Sequence, residues 1–223
     1  MVELIRGLSV ERVRENRERI EGELAQAAAR AGRAGEPAQL LAATKYLAGE
    51  ELPVLAQAGV RLVGENRAQD LQAKVAAHGS LFEWDFIGQL QSRRVRLIVP
   101  HVRLIHSLAS ESALSALERY RELARPGLRV LIEVNLAGEE GKAGIAPAEL
   151  EGFIERSPVA VAGLMTMPPL SARAEDCRRW FAALRELAAA HGLKELSMGT
   201  SQDYLVAAEE GATIVRIGTN LYH

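Results

Sequence analysis

The chain is short of several things that would each have named a function class. It has one cysteine, Cys177, in 223 residues. That excludes an internal disulfide and a thiolate zinc site. Cys177 falls among Trp180, Phe181 and Leu184 at helical spacing and reads as a core thiol. Aromatic residues make up only 4% of the chain, so its core must be built from Leu, Val, Ile and Ala. With 27 basic against 29 acidic side chains and few stacking platforms, nucleic acid is excluded as the main partner. No stretch approaches the ~18 apolar residues of a membrane span, and Met1-Val2-Glu3-Leu4-Ile5-Arg6 carries no apolar signal core. A soluble, cytoplasmic protein without a membrane partner is expected. The five histidines show no H-E-x-x-H or H-x-H spacing. Dinucleotide and P-loop glycine patterns and the G-x-S-x-G elbow are also missing.

What is present is rhythm. An amphipathic helix is predicted from Ser9 to Ala31, with Val10, Val13, Ile20, Leu24 and Ala27/Ala28 on one stripe. The run Gly32-Arg33-Ala34-Gly35-Glu36-Pro37 breaks it. Eight short apolar segments follow: Leu40–Lys45, Leu62–Asn66, Trp84–Gly88, Leu104–Ser107, Val130–Asn135, Val159–Met167, Glu195–Gly199 and Ile214–Gly218. Between them lie helical patterns at Glu50–Ala58, Arg67–Ala77, Glu111–Ala124, Pro147–Arg156, Ala172–His191 and Gln202–Glu209. Ser92–Val99 is ambiguous, because Arg93, Arg94 and Arg96 leave little apolar face. Strands alternating with helices predict a parallel sheet covered by helices. Eight units in a length near ~250 residues predict an α/β fold of the (β/α)8 TIM barrel type with an N-terminal helical extension. One domain is expected over 1–223, with the helix and connector in 1–37 and the barrel in 38–223. Because the last strand lies five residues before His223, no second domain is expected.

Candidate chemistry concentrates at the ends of these segments. Lys45 closes Leu40-Leu41-Ala42-Ala43-Thr44-Lys45. A lysine at the end of a buried strand is poorly hydrated, which favours the neutral, nucleophilic amine needed for a Schiff base. The alternative is a lysine that reaches solvent from a strand end. The seventh segment runs into Gly199-Thr200-Ser201, and the eighth into Gly218-Thr219-Asn220. Loops after strands 7 and 8 of a barrel often bind phosphate. Gly199 and Gly218 would allow close backbone approach, and Ser201 and Thr219 offer hydroxyls. Arg216 shares a strand face with Gly218 and needs an acceptor. An anionic or heteroaromatic ligand would serve, as would Glu65, Asp203 or Glu133 in a structural ion pair.

Six motifs in order then support a family resemblance. They are Thr44-Lys45, Gly64-Glu65-Asn66, Phe86-Ile87-Gly88-x-Leu90-Gln91, Gly163-Leu164-Met165, Leu196-Ser197-Met198-Gly199-x-Ser201-x-Asp203-Tyr204 and Val215-Arg216-Ile217-Gly218-Thr219. Together they resemble the YggS/PROSC family of pyridoxal 5′-phosphate (PLP) homeostasis proteins over nearly the whole chain after the first helix. The resemblance implies a barrel like the N-terminal domain of alanine racemase, with PLP held as an aldimine on Lys45. It implies Ser201, Gly218 and Thr219 at the phosphate, Arg216 at the pyridine nitrogen, and Asn66 and Met198 lining the pocket. Thr200 stands where the family usually has Met, Gln202 replaces a frequent acidic or polar residue, and the family's Phe-Gly ending is absent.

Three functions compete on these grounds. The first is a PLP carrier or regulator without robust turnover, monomeric, exchanging PLP with PLP-dependent apo-enzymes. An arginine at the pyridine nitrogen weakens the electron sink, and no partner domain is in view to supply a second base. The second is a minimal fold-type III PLP enzyme, a racemase or decarboxylase, with Tyr46 or Tyr204 as base. The third is a barrel enzyme on a sugar phosphate, with Lys45 and Arg216 as plain anion ligands.

Overall fold

A computed structural model describes residues 4–171 and 173–223. Helix α1 (Val10–Arg30) starts where Ser9 accepts the Arg12 N–H, and buries Val13, Ile20, Leu24, Ala27 and Ala28. It stops at Gly32, whose φ of +74° lets the Arg33 N–H return to the Ala28 carbonyl at 2.8 Å.

Eight strands then follow in chain order: β1 (Gln39–Ala43), β2 (Leu62–Glu65), β3 (Glu83–Phe86), β4 (Leu104–Leu108), β5 (Arg129–Glu133), β6 (Ala160–Met165), β7 (Glu195–Thr200) and β8 (Ile214–Ile217). All neighbouring pairs are parallel, and β8 pairs back onto β1 to close the barrel. This is the predicted TIM barrel. The connecting helices are α2 (Leu52–Gln57), α3 (Ala68–His78), α4 (Val95–Ile98), α5 (Glu111–Arg119), α6 (Leu150–Arg156), α7 (Arg178–Ala190) and α8 (Tyr204–Glu209), several preceded by a 3-10 turn. The ambiguous Ser92–Val99 stretch is one such turn plus α4, burying Val95, Ile98 and Val99. The helix predicted from Ala172 begins as a 3-10 turn at Ala174; Ala172 itself lies outside the described residues.

Alternation along each strand separates two cores. Leu41, Leu62, Leu104, Leu131, Met165 and Ile214 fill the barrel interior. Ala42, Val63, Trp84, Ile105, Val130, Met198, Val215 and their neighbours face the helices, together with the buried stripe of α1. Strands buried on both faces read as continuous apolar runs, which is why they were visible in the sequence. A further helix, α9 (Thr219–Tyr222), was not predicted. It buries Leu221 and Tyr222, and the Tyr222 hydroxyl donates to the Ala43 carbonyl at 3.0 Å. Asn16 of α1 donates to the Leu221 carbonyl at 3.2 Å, so α9 ties the last strand to both β1 and α1.

Candidate functional site

The C-terminal ends of β7 and β8 meet through a kink at Gly199. Its φ is +92°, and an added Cβ would lie 2.6 Å from Ala207 Cβ and 3.0 Å from Tyr204 Cα. Glycine is therefore required there for the turn and for α8, not for a ligand's approach. The ladder shifts register between Ser197 and Thr200 at this point. Asp203 Oδ1 then accepts both the Thr200 N–H at 2.7 Å and the Thr200 hydroxyl at 3.0 Å. The turn delivers Ser201 to Gly218, whose N–H donates to Ser201 Oγ at 3.2 Å. Asn220 Nδ2 donates to the Ser201 carbonyl at 2.8 Å. Gly218 differs from Gly199 in that its φ is −116° and an added Cβ would meet nothing nearer than Ala43, at 3.9 Å. A side chain at that position would begin with only ordinary van der Waals contact. Thr219 opens α9 beside it and is exposed.

Arg216 projects from β8 into a mouth cavity of about 850 Å3 lined also by Gly199, Thr200, Asp203, Cys177, Met167 and Lys142. It is 7% exposed. Its guanidinium donates to Ser197 Oγ at 2.5 Å, the Thr166 carbonyl at 3.2 Å and Met167 Sδ at 2.8 Å. No carboxylate lies within ion-pair distance among the described residues, so burial pulls the guanidinium down to about 10, with Glu133 and Asp203 opposing through charge. Glu133, at the end of β5, is held above the usual carboxylate range by burial, against the pull of Arg216. A buried cation satisfied mainly by neutral acceptors, next to open space, suits a ligand carrying negative or lone-pair character.

Two of the predicted acceptors thus act through charge only, and Glu65 does not act on Arg216 at all. Glu65 points outward to α3, where Oε2 meets Lys74 Nζ at 2.6 Å and the Thr44 hydroxyl at 3.0 Å. Its other oxygen accepts the Asn66 N–H at 2.7 Å. Asn66 Oδ1 is buried with no hydrogen-bond partner among the described residues.

Lys45 and Met198 depart from expectation. Strand β1 ends at Ala43, Thr44 is buried, and Lys45 lies in the following turn, exposed. The side chain is therefore open to solvent rather than held in the strand core. Nζ sits 4.6 Å from the centroid of the Tyr46 ring and lines an outer groove of about 1200 Å3 beside α3, not the mouth cavity. The groove is the larger of the two spaces, but the mouth holds the buried cation and the start of the loop after β7. Met198 is fully buried in the helix-facing core, on the opposite strand face from Ser197, so its side chain does not line the mouth. Cys177 borders the mouth, yet burial first and Asp203 second raise its thiol to about 11, so it is the inert core thiol expected. Sequence reading missed His106, which joins Ser197 to Asp85 inside the barrel; a lone histidine in an apolar strand gave no spacing signal.

The described residues include no helix long and apolar enough to cross a membrane. The family model for the N-terminal domain of alanine racemase matches residues 16–223. The pyridoxal phosphate homeostasis protein of Aquifex aeolicus is 41% identical over 208 residues, covering 88% of this chain and 91% of that protein. The chain belongs to this family. The family's Escherichia coli K12 member is 33% identical over 223 residues, covering 93% of this chain and 94% of its own. PipY of Synechococcus elongatus, solved with PLP bound, matches with a TM-score of 0.80 at 32% identity, over 95% of this chain and 100% of PipY. Alanine racemase of Corynebacterium glutamicum, at 20% identity and a TM-score of 0.68, shares the barrel over 61% of its length.

Proposed function

We propose that this chain binds PLP at the barrel mouth and serves intracellular PLP homeostasis as a carrier, passing the cofactor to PLP-dependent apo-enzymes. The observation that carries the reading is Arg216, buried, lining the mouth cavity and without a carboxylate partner within ion-pair distance among the described residues. When bound, PLP supplies an aldehyde that condenses with amines and a ring that withdraws electrons. Ser201, Gly218 and Thr219 would hold the phosphate through a hydroxyl and backbone N–H groups. Arg216 would face the ring nitrogen and, as a cation, keep a proton off that atom. Asn66 Oδ1 and its amide would meet the ring's polar edge.

Lys45 is the amine best placed for covalent attachment. Of the four lysines, Lys74 is committed to Glu65, Lys142 to Glu139 and the Pro168 carbonyl, and Lys194 precedes β7 at the opposite end of the barrel. Lys45 alone follows a strand end at the mouth face with no ion pair to a described residue. Its four-carbon stem can swing from the Tyr46 ring toward Ala43 and Gly218. Borohydride treatment of the PLP-loaded protein, followed by intact-mass spectrometry and peptide mapping, should place the adduct on Lys45. An adduct on Lys74, Lys142 or Lys194 overturns the assignment.

Carriage is favoured over turnover because Tyr204, one of the two candidate bases, is engaged away from the mouth and neither it nor Tyr46 lines the mouth cavity. Tyr204 donates to Glu23 on α1, and burial with that carboxylate raises it to about 12; Tyr46 shares the outer groove with Lys45. The second reading, a minimal fold-type III PLP enzyme, rests on Glu133, a buried carboxyl of raised pKa near the mouth arginine. Steady racemisation or decarboxylation above the rate of free PLP, lost in both Lys45→Ala and Glu133→Gln, decides for the enzyme.

A further inference from the structure

Barrel interiors of this kind are normally filled by branched apolar side chains. Here a continuous polar chain runs through the interior. Arg216 on β8 donates to Ser197 Oγ on β7 at 2.5 Å, and that oxygen stands 2.8 Å from His106 Nδ1 on β4. His106 Nε2 is 3.0 Å from Asp85 Oδ2 on β3, where Arg103 Nη2 also donates at 3.0 Å. Asp85, His106 and Ser197 are fully buried.

The donor and acceptor inventory gives the chain one direction. A guanidinium has only donors, so Ser197 Oγ accepts from Arg216. Asp85, ion-paired to Arg103, has only acceptors, so His106 Nε2 carries the proton and donates to it. The neutral ring then leaves Nδ1 as an acceptor for the Ser197 hydroxyl. Burial first, with Arg216 and Arg103 adding to it, holds the imidazole below its ordinary range against the pull of Asp85. The Asp–His–Ser order matches a nucleophile relay in outline. Ser197 is nevertheless fully buried and engaged on both sides, which leaves no path for a substrate.

We propose that His106 is a positioning residue that, as the neutral Nε2–H tautomer, turns Ser197 so that its oxygen faces Arg216 and thereby fixes the guanidinium against the ring nitrogen of bound PLP. This rests on the PLP reading above. A second proton on Nδ1 would reverse the Ser197 hydroxyl and place a third positive charge beside Arg103 and Arg216.

Two measurements test it. In the ligand-free protein, 15N NMR of the imidazole should show protonated Nε2 and bare Nδ1 throughout the ordinary histidine range. A proton on Nδ1 at neutral pH overturns the proposal, whatever the variants do. In the loaded protein, His106→Phe should weaken PLP binding roughly tenfold and shift the pH midpoint of the bound cofactor's visible band. His106→Asn, whose Oδ1 can accept from Ser197, should restore both. A loaded His106→Phe protein that matches the parent in affinity, band and midpoint overturns the proposal alone. A parent that takes up no PLP overturns the reading beneath it.

Discussion

Lys74→Met tests the support behind the mouth most directly. Glu65 is fully buried, and three donors hold its carboxylate: Lys74 Nζ at 2.6 Å, the Thr44 hydroxyl at 3.0 Å and the Asn66 N–H at 2.7 Å. Lys74 Nζ also donates to the Thr44 carbonyl at 2.7 Å. Methionine nearly matches the lysine stem in volume, so the substitution removes charge and hydrogen bonds without opening a large cavity. Breaking a buried ion pair by losing one partner costs about 3–5 kcal/mol. Two donors remain on Glu65, which puts the expected loss at the lower end, about 3 kcal/mol. In a chain of this size that lowers the thermal midpoint by roughly 6–12 °C. Urea unfolding should show the midpoint moving at constant m-value. The double variant Glu65→Gln/Lys74→Met removes both charges and should recover most of the loss. A Lys74→Met protein within about 1 kcal/mol of the parent, or a double variant no better than the single, refutes the argument. Because Thr44 directly precedes Lys45 and Asn66 is proposed to meet the ring, PLP retention should fall alongside stability.

Three further outcomes follow from named contacts. If Ser201 and Gly218 hold the phosphate as proposed, Ser201→Ala should weaken PLP binding by about 1.5–3 kcal/mol, and Gly218→Val should weaken it more by crowding the backbone N–H; equal affinity of Gly218→Val and the parent in a titration refutes the phosphate site. Gly199→Ala should cost far more stability than Gly218→Ala in urea, because only the first has a positive φ and a Cβ contact of 2.6 Å; the reverse ranking contradicts the kink. Since His106 has a lowered pKa in the fold, the unfolded chain binds its proton first as pH falls below the ordinary value of 6.5, and stability drops there by at most about 1.4 kcal/mol per pH unit. His106→Asn should flatten that slope in unfolding curves recorded between pH 7 and 5, and an unchanged slope assigns it to other groups.

The sequence by itself determined the barrel and pointed to the region of the candidate site. Strands buried on both faces leave unbroken apolar runs, and helices leave a periodic stripe, so both are written locally. The place of Ser201, Gly218 and Arg216 follows from their position at the ends of the last two strands. Tertiary structure decided what each side chain does there. Gly199 and Gly218 are the same residue in sequence, but only Gly199 has α8 packed against its Cα. Glu65 sits in a motif with Asn66, yet the strand's alternation turns it outward to Lys74 on α3. Lys45 looked buried because the run before it is apolar; the ladder stops at Ala43 and the next turn carries the amine into solvent. His106 stayed silent because its meaning lies in partners 21 and 91 residues away, Asp85 and Ser197. Barrel closure brings those strands together, and no local spacing encodes a hydrogen bond across the barrel interior.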